Sequence, residues 1–470
     1  MSRRVLALLT IVLALGMLLL SAPAPAEKAE SPLRVGFGEA EITPKVGGAK
    51  PVYVAGFGPN RKATGVHDPL MARAVVLQDG ARKVAIVSLD LVGFFLPHVE
   101  RVRKELPGFT YVLVTSTHNH EGPDTLGLWG PTPLQSGVDP AYVKFVEKQI
   151  VAAVKAADAA LKPVSARLGS VKAPELLHDN REPYIKHDDL VMLEFRAGAK
   201  TTGLVVQWNC HPETLDRTNT LLSADYVGYT VKHLQEKYRC PVVYLTGTVG
   251  GLMTSLKVEI KDAAGKPLAD GTYEKTERYG VLLGEAAERA LKGAKPIKLT
   301  PLEVRSRALF LPIDNKLYLA ARQFGVFERE AFLWTGDPDK AEPAKNPGVD
   351  TRLCLRTELA FLRFGELEAA AIPGEIYPEL VLSKVQDPVD PGADFPDAPI
   401  EPGLYAQMRG PQRMLIGLAN DEIGYLIPKR QWDEKPPFCY GRKAAQYGEM
   451  NSLGPDTAPL LCEAFKKLTR

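Results

Sequence analysis

Short apolar, β-branched runs alternate with amphipathic helical stretches through the first two thirds of this chain. That alternation restricts the fold more than any other feature. Buried strands read as brief apolar runs, and helices as longer stretches of 3.6-residue periodicity. Runs of the first kind fall at 73–78, 84–91, 111–116, 166–171, 190–195, 203–209 and 242–246. Helices are predicted at 97–105, 140–161, 225–238 and 272–292, with Ser223 or Asp225 capping the third. Strands interleaved with helices must have their faces covered, so an α/β layered fold of mixed β-sheets with flanking helices is expected. Beyond residue 298 strands dominate, at 303–311, 358–364 and 369–372, before a closing helix at 457–468. No internal repeat is visible in the sequence. Two Pro/Asp/Gly-rich stretches, 337–350 and 386–403, are predicted as long surface loops of the kind that serve as lids or binding loops.

Composition excludes whole classes. Hydrophobic residues make up 45% and charged residues 24%, so the chain is neither disordered nor fibrous. A formal charge of +2 gives no strong pull toward nucleic acid, and no nucleic-acid partner is expected.

The N-terminus reads as a targeting segment. Arg3 and Arg4 precede an uncharged apolar run from Val5 to Leu20, and small residues follow to Ala24-Pro25-Ala26. This is the pattern of a cleaved secretory signal over residues 1–26, and the run is short for a membrane span. The mature chain, residues 27–470, is then expected to be secreted or periplasmic, with zero formal charge once the two arginines leave. Five cysteines, Cys210, Cys240, Cys354, Cys439 and Cys462, fit no metal motif. Their odd number leaves at least one thiol unpaired; disulfides and buried free thiols both stay open.

The chemistry concentrates where apolar strands end. Ser116-Thr117-His118-Asn119-His120-Glu121-Gly122-Pro123 follows one such strand, and residues two apart on a strand face the same side. His118 and His120 are therefore candidate metal ligands, or equally a polar pair at a strand edge. His211, in Asn209-Cys210-His211-Pro212, follows a second apolar strand, and Glu375, in Pro373-Gly374-Glu375, follows a third. Glu375 can complete a metal site, or equally be a solvated loop residue or open a helix. No G-x-S-x-G nucleophile elbow and no phosphate-binding P-loop is present. Gly247-Thr248-Val249-Gly250-Gly251 reads as a close-packed turn, not a dinucleotide fingerprint.

In their order, these motifs resemble the catalytic region of the neutral/alkaline non-lysosomal ceramidases. The resemblance rests on Val35-Gly36 through Thr43-Pro44, Gly65-Val66-His67-Asp68-Pro69-Leu70, Thr117-His118-Asn119-His120, and Asn180-Arg181 with Pro183. It continues through His211-Pro212, Ser223-Ala224-Asp225, Pro373-Gly374-Glu375, Asn420 to Tyr425 and Gln446-Tyr447-Gly448-Glu449. It implies a zinc-dependent amidase acting on an N-acyl lipid such as N-acylsphingosine. It implies Zn2+ held by His118, His211, Glu375 and Tyr425, with His120 facing the substrate as a proton shuttle. Arg181 and Tyr447 match active-site positions suited to stabilising an oxyanion. The implied partner is a small-molecule or lipid substrate, with peripheral contact to a membrane. Three departures accompany the resemblance. Met253 stands where the family has a serine, and Glu121 where it has a small residue, which is expected to add a carboxylate near the metal. The C-terminal β-sandwich domain of ceramidases is expected to be missing.

Overall fold

The computed structural model describes residues 32–344 and 351–470; residues 1–31, with the expected signal segment 1–26, and residues 345–350 lie outside the described residues. Three sheets organise them. The first runs Tyr111–Ser116, Arg82–Leu89, Met71–Asp79, Arg34–Glu41 and the short edge Lys162–Pro163. The second runs Val242–Thr246, Lys200–Trp208, Asp189–Ala197, Ser165–Lys172 and the short edge Lys295–Ile297. In the third, Leu302–Pro312 pairs with Leu353–Phe364, which pairs with Leu367–Ala371, then Gln412–Ile416.

The three sheets share one topology. Each has a first strand, an antiparallel hairpin, and a helical crossover to an edge strand parallel to the hairpin's second strand. The crossover helices are Leu96–Lys104 and Asp225–Tyr238, with the short Pro378–Leu382 and Leu404–Gln407 in the third unit. A further helix closes each unit: Pro140–Ala159, Tyr273–Lys292 and Thr457–Thr469. The sequence shows no repeat because only the burial pattern is shared, and many apolar side chains satisfy it.

Alternate residues of every central strand explain the layering. Val75, Leu77, Ile86 and Leu113 of the first sheet meet Leu193, Val205 and Leu245 of the second and Leu362, Ala369 and Ile416 of the third in one common core. The opposite faces, with Ala74, Val87 and Val114 in the first sheet, pack under helices. Strands covered on both sides must be largely apolar, which is why 111–116 and 242–246 are legible in the sequence and are found at those bounds.

Glycine permits the closest helix contacts. A Cβ on Gly36 would lie 2.0 Å from the Ala157 carbonyl oxygen, and one on Gly169 2.0 Å from that of Ala290. The same device seats the long helix on the first strand in both of the first two units.

Local signals set the helix ends. Asp139 accepts from the Ala141 amide at 3.0 Å with Pro140 in the first turn, and Thr272 accepts from Lys275. Asp225–Tyr238 starts differently. Ala224 is its N-cap, while the Asp225 carboxylate accepts from the amides of Leu215 and Tyr226. The strands Arg34–Glu41 and Gln412–Ile416 and the helix Lys316–Gln323 were not expected from the periodicity. That helix has no fully buried residue, so it lacks a clean apolar stripe. Residues 386–403 run over the surface as expected, and all five cysteines are buried free thiols.

Candidate metal centre and active-site cavity

The C-terminal ends of the parallel strands meet at one end of the common core. Thr115 bridges to Ala419, Thr246 Oγ1 donates to the Thr117 carbonyl, and the Gly417 amide donates to the Thr246 carbonyl. Open α/β sheets place ligands at such strand ends. Here three strand systems contribute: His118 beyond the first sheet, His211 beyond the second, and Glu375 with Tyr425 from a separate two-stranded pairing beyond the third.

Each ligand-type side chain is aimed by its own backbone. His118 follows its strand with φ of 65°, in the left-handed region, so the chain turns there and strand alternation does not orient it. Its Nδ1 bonds the Val92 carbonyl at 2.7 Å, and His211 Nδ1 bonds the Met253 carbonyl at 2.9 Å. Both rings therefore carry a proton on Nδ1 and turn Nε2 inward toward Glu375, the orientation a metal-binding histidine takes. Glu375 and Tyr425 sit opposite one another in a two-residue parallel pairing. Glu375 Oε2 lies 3.0 Å from His211 Nε2 and 3.3 Å from His118 Nε2. Ligands ~2.0–2.1 Å from a tetrahedral zinc stand ~3.3–3.4 Å apart, so this donor set fits such an ion.

His120 belongs to the same group. Nitrogens of His118, His120 and His211 lie within 4.8 Å of one another, all buried, and this group can hold a metal ion. His120 differs in its support. Its Nδ1 faces the Glu213 carboxylate at 3.4 Å, too long for a tight bond, and its ring meets Phe57 edge-on. Gly56 passes so close that a Cβ would lie 2.4 Å from this imidazole.

Burial and charge compete here. Burial disfavours charge on Glu375 and His118, but their mutual attraction prevails, holding the carboxyl far below its usual range and raising the imidazole. Burial lowers His120 to about 4, which keeps it neutral. Burial, aided by the Glu375 charge, holds the Tyr425 phenol protonated.

The group opens into a cavity of about 850 Å³. One wall is apolar, with Val92, Phe95, Leu126, Trp129 and Phe327 packed into a small cluster. The lining also includes the polar side chains Asn180, Glu213, Arg217, Thr254 and Lys257, with apolar Leu252 and Leu256 beside the last two in sequence.

Comparison with known proteins decides the relationship. Residues 33–247 match the family described as neutral/alkaline non-lysosomal ceramidase, N-terminal. Those residues, somewhat under half of the chain, are similar to that family. A neutral ceramidase of Pseudomonas aeruginosa is 26% identical over 318 residues, covering 59% of this chain and 46% of the relative. The matched stretch thus spans less than half of that protein. The crystal structure of neutral ceramidase from the same organism superposes with a TM-score of 0.69 at 18% identity, over 93% of this chain and 74% of the other. A ceramidase complexed with C2 gives 0.68 at 18%, over 93% and 75%. At that identity the superpositions establish the mixed α/β ceramidase fold.

Within this ceramidase fold the remaining candidate residues separate. Tyr447 lines the cavity, 48% exposed, its hydroxyl accepting from Asn451 at 2.7 Å and its ring edge-on to Tyr425. Arg181 does not line it. Its guanidinium grips Glu449 through two bonds of 2.9 and 2.7 Å and donates to the carbonyls of Tyr447 and Gln431. It positions the Tyr447 segment and does not face a reacting carbonyl. Glu121 is also turned away from the metal group. Its carboxylate takes Arg61 at 3.1 Å and Asn219 at 2.7 Å, and burial pushes it up to about 8 against the pull of Arg61. Met253 packs its side chain in the core of the second unit and offers only its carbonyl, to His211. Ser255 donates to the His211 carbonyl.

Glu213 and Glu422 were missed in the sequence. Glu213 repeats, as His211-Pro212-Glu213, the two-residue spacing of His118 and His120, and that repetition was the available signal. Glu422 lines the cavity, with Oε1 accepting from the Gly424 amide at 2.8 Å and Oε2 buried without a partner. Burial beside Glu375 pushes its carboxyl well above the usual carboxylate range. No sequence signal distinguished it.

Proposed function

We propose that this chain is an exported, zinc-dependent amidase that cleaves an N-acyl lipid such as N-acylsphingosine, releasing a carboxylate and an amine. The observation that carries the reading is the convergence of His118, His211 and Glu375 from separate strand ends, with both Nε2 atoms turned toward the Glu375 carboxylate beside an apolar cavity. Kinship with the ceramidase family favours an acyl amide over other substrates. His118, His211 and Glu375, with Tyr425 as a fourth ligand, would hold zinc, which when bound would supply Lewis acidity toward water and the acyl carbonyl.

The chain's own groups supply the rest. His120, neutral and backed by the ionised Glu213, is fitted to take a proton from water and return it to the departing amine. The Tyr447 hydroxyl, protonated and at the cavity surface, can donate to negative charge developing on the carbonyl oxygen. The apolar wall receives the acyl chain and excludes water around the bond being broken. The four ligand positions remain intact despite Met253, whose side chain never reaches the cavity.

The test is fatty-acid release from short- and long-chain N-acylsphingosines by purified residues 27–470, before and after zinc removal and return. Release should vanish with the metal and recover with it, and His211→Ala should lose bound zinc and turnover together. Full activity of His211→Ala would overturn the metal assignment. Export predicts a mature N-terminus at Glu27 on the protein recovered outside the cytoplasm.

A further inference from the structure

His118, His120 and His211 meet in one group, but only the first and last are aimed by hydrogen bonds. Each of those two bonds a backbone carbonyl through Nδ1. His120 has no such anchor, since its buried Nδ1 has no closer partner than the Glu213 carboxylate at 3.4 Å. A buried ring without a directing bond takes its orientation from its backbone and from what packs against it. Here the packing comes from a hairpin strap. Tyr53 bridges to Lys62, and the Val54 amide donates to the Arg61 carbonyl at 2.7 Å. The strap pairs with the chain just beyond His120: the Ala55 amide donates to Gly122 at 2.9 Å, and the Asp124 amide to Tyr53 at 2.8 Å. Its tip, Gly56-Phe57-Gly58, lines the cavity. Gly56 has φ of 101°, and a Cβ there would strike the His120 ring. Phe57 meets that ring edge-on, with centroids 5.2 Å apart.

One side chain holds strap and histidine together. Arg61 is buried, and its Nη2 donates to the carbonyls of both Ala55 and His120. Its Nη1 donates to the two Glu121 carboxylate oxygens at 3.1 and 3.2 Å. The guanidinium also lies 5.0 Å from the centre of the Phe57 ring. Arg61 thus touches the His120 backbone, the residue before Gly56 and the aromatic ring that packs on the imidazole. Glu121 is its fully buried counter-charge, and Asn219 fixes the carboxylate from another side at 2.7 Å. A planar fork with separate nitrogens can bond a carboxylate and two carbonyls at once, whereas a lysine ammonium is a single point.

We propose that Arg61 is a positioning residue that locks His120 against the strap tip, so that the imidazole is held where it can pass a proton between water and the departing amine. This rests on the amide-hydrolase reading above, in which His120 moves that proton. Glu121 serves the same end by keeping the guanidinium in place. Among the described residues, the side-chain bonds of Arg61 and Glu121 go to none of His118, His211, Glu375 and Tyr425. The pair therefore acts on the proton carrier and not on the ligand set.

The experiment uses Arg61→Lys, which keeps a cation beside the buried Glu121 but withdraws the fork from the two carbonyls. Arg61→Gln/Glu121→Gln removes the fork without burying any charge, and serves if the first variant fails to fold. With the zinc-loaded protein and N-dodecanoylsphingosine, kcat should fall on the order of 100-fold, the cost of a misplaced proton carrier, while KM stays within about twofold. Bound zinc should stay at the parent's level. A second readout needs no turnover. In protein carrying isotope-labelled histidine, the NMR ring signals of His120 are identified by their absence from His120→Gln. They should shift or broaden in both variants, while those of His118 and His211 hold. Unmoved His120 signals, or an unchanged kcat in a parent that cleaves the amide, would overturn the proposal and leave the hydrolase reading standing. Loss of zinc, or a rise in KM that accounts for the whole loss of kcat/KM, would mark a general loosening of the site and overturn it too. Shifted His120 signals in a protein that cleaves no amide would retain the clamp on His120 and refute the hydrolase reading instead.

Discussion

Removing the Glu449 carboxylate should strand a buried cation, and the cost can be worked from the contacts. Arg181 and Glu449 side chains are each 3% exposed, and their two bonds measure 2.9 and 2.7 Å. Glu449 also accepts from the Asp433 amide at 2.9 Å. Breaking a buried pair by deleting one partner costs ~3–5 kcal/mol. Arg181 keeps two acceptors, the carbonyls of Tyr447 and Gln431, which places Glu449→Ala near the lower end, ~3 kcal/mol. At ~2.1 cal/mol/K of unfolding entropy per residue, a unit of about 440 residues loses ~3 °C in Tm for that change. Scanning calorimetry with chemical denaturation reads this directly. The double variant Arg181→Leu/Glu449→Leu should be less damaged than Glu449→Ala, because no charge is left unpaired. Turnover should fall in both, since the segment carrying Tyr447 loses its tether. A Tm within 1 °C (about a third of the expected shift) for Glu449→Ala would refute the reasoning, as would a double variant whose loss equals the sum of the singles.

Two further outcomes follow from burial. Met253→Ser should not raise turnover and should cost ~2–4 kcal/mol, because the side chain fills the core of the second unit and not the cavity. A several-fold gain in activity would show that the serine reaches the reaction. Burial raises Glu379 from 4.5 to about 7, so the folded state keeps a proton that the unfolded chain releases. Stability should therefore decline as pH rises from 4.5 to about 7 and then level, a loss on the order of 3 kcal/mol. Glu379→Gln, which mimics the protonated acid, should flatten that decline in urea unfolding at matched pH values, and an unchanged slope would exclude Glu379 as its source.

Local chemistry determined a good deal in the sequence. Strands 111–116 and 242–246 are buried at every position and mostly apolar because both faces are covered, so composition and length disclose them. The helix Asp225–Tyr238 is amphipathic and announces its own span. His118, His211 and Glu375 each stand just beyond an apolar run, and a strand that ends in a ligand-type residue points to a site. What the sequence lacks is any statement of which strand ends meet. That depends on three sheets of like topology sharing one core, and burial patterns constrain hydrophobicity without recording partners. Long-range pairing also decided the fate of individual charges. Arg181 is claimed by Glu449, 268 residues on, and Glu121 by Arg61, 60 residues back. Glu213 became part of the site only because the second sheet brings it against His120 of the first. A buried charge must find its counter-charge wherever the fold delivers one, and that choice is made in three dimensions.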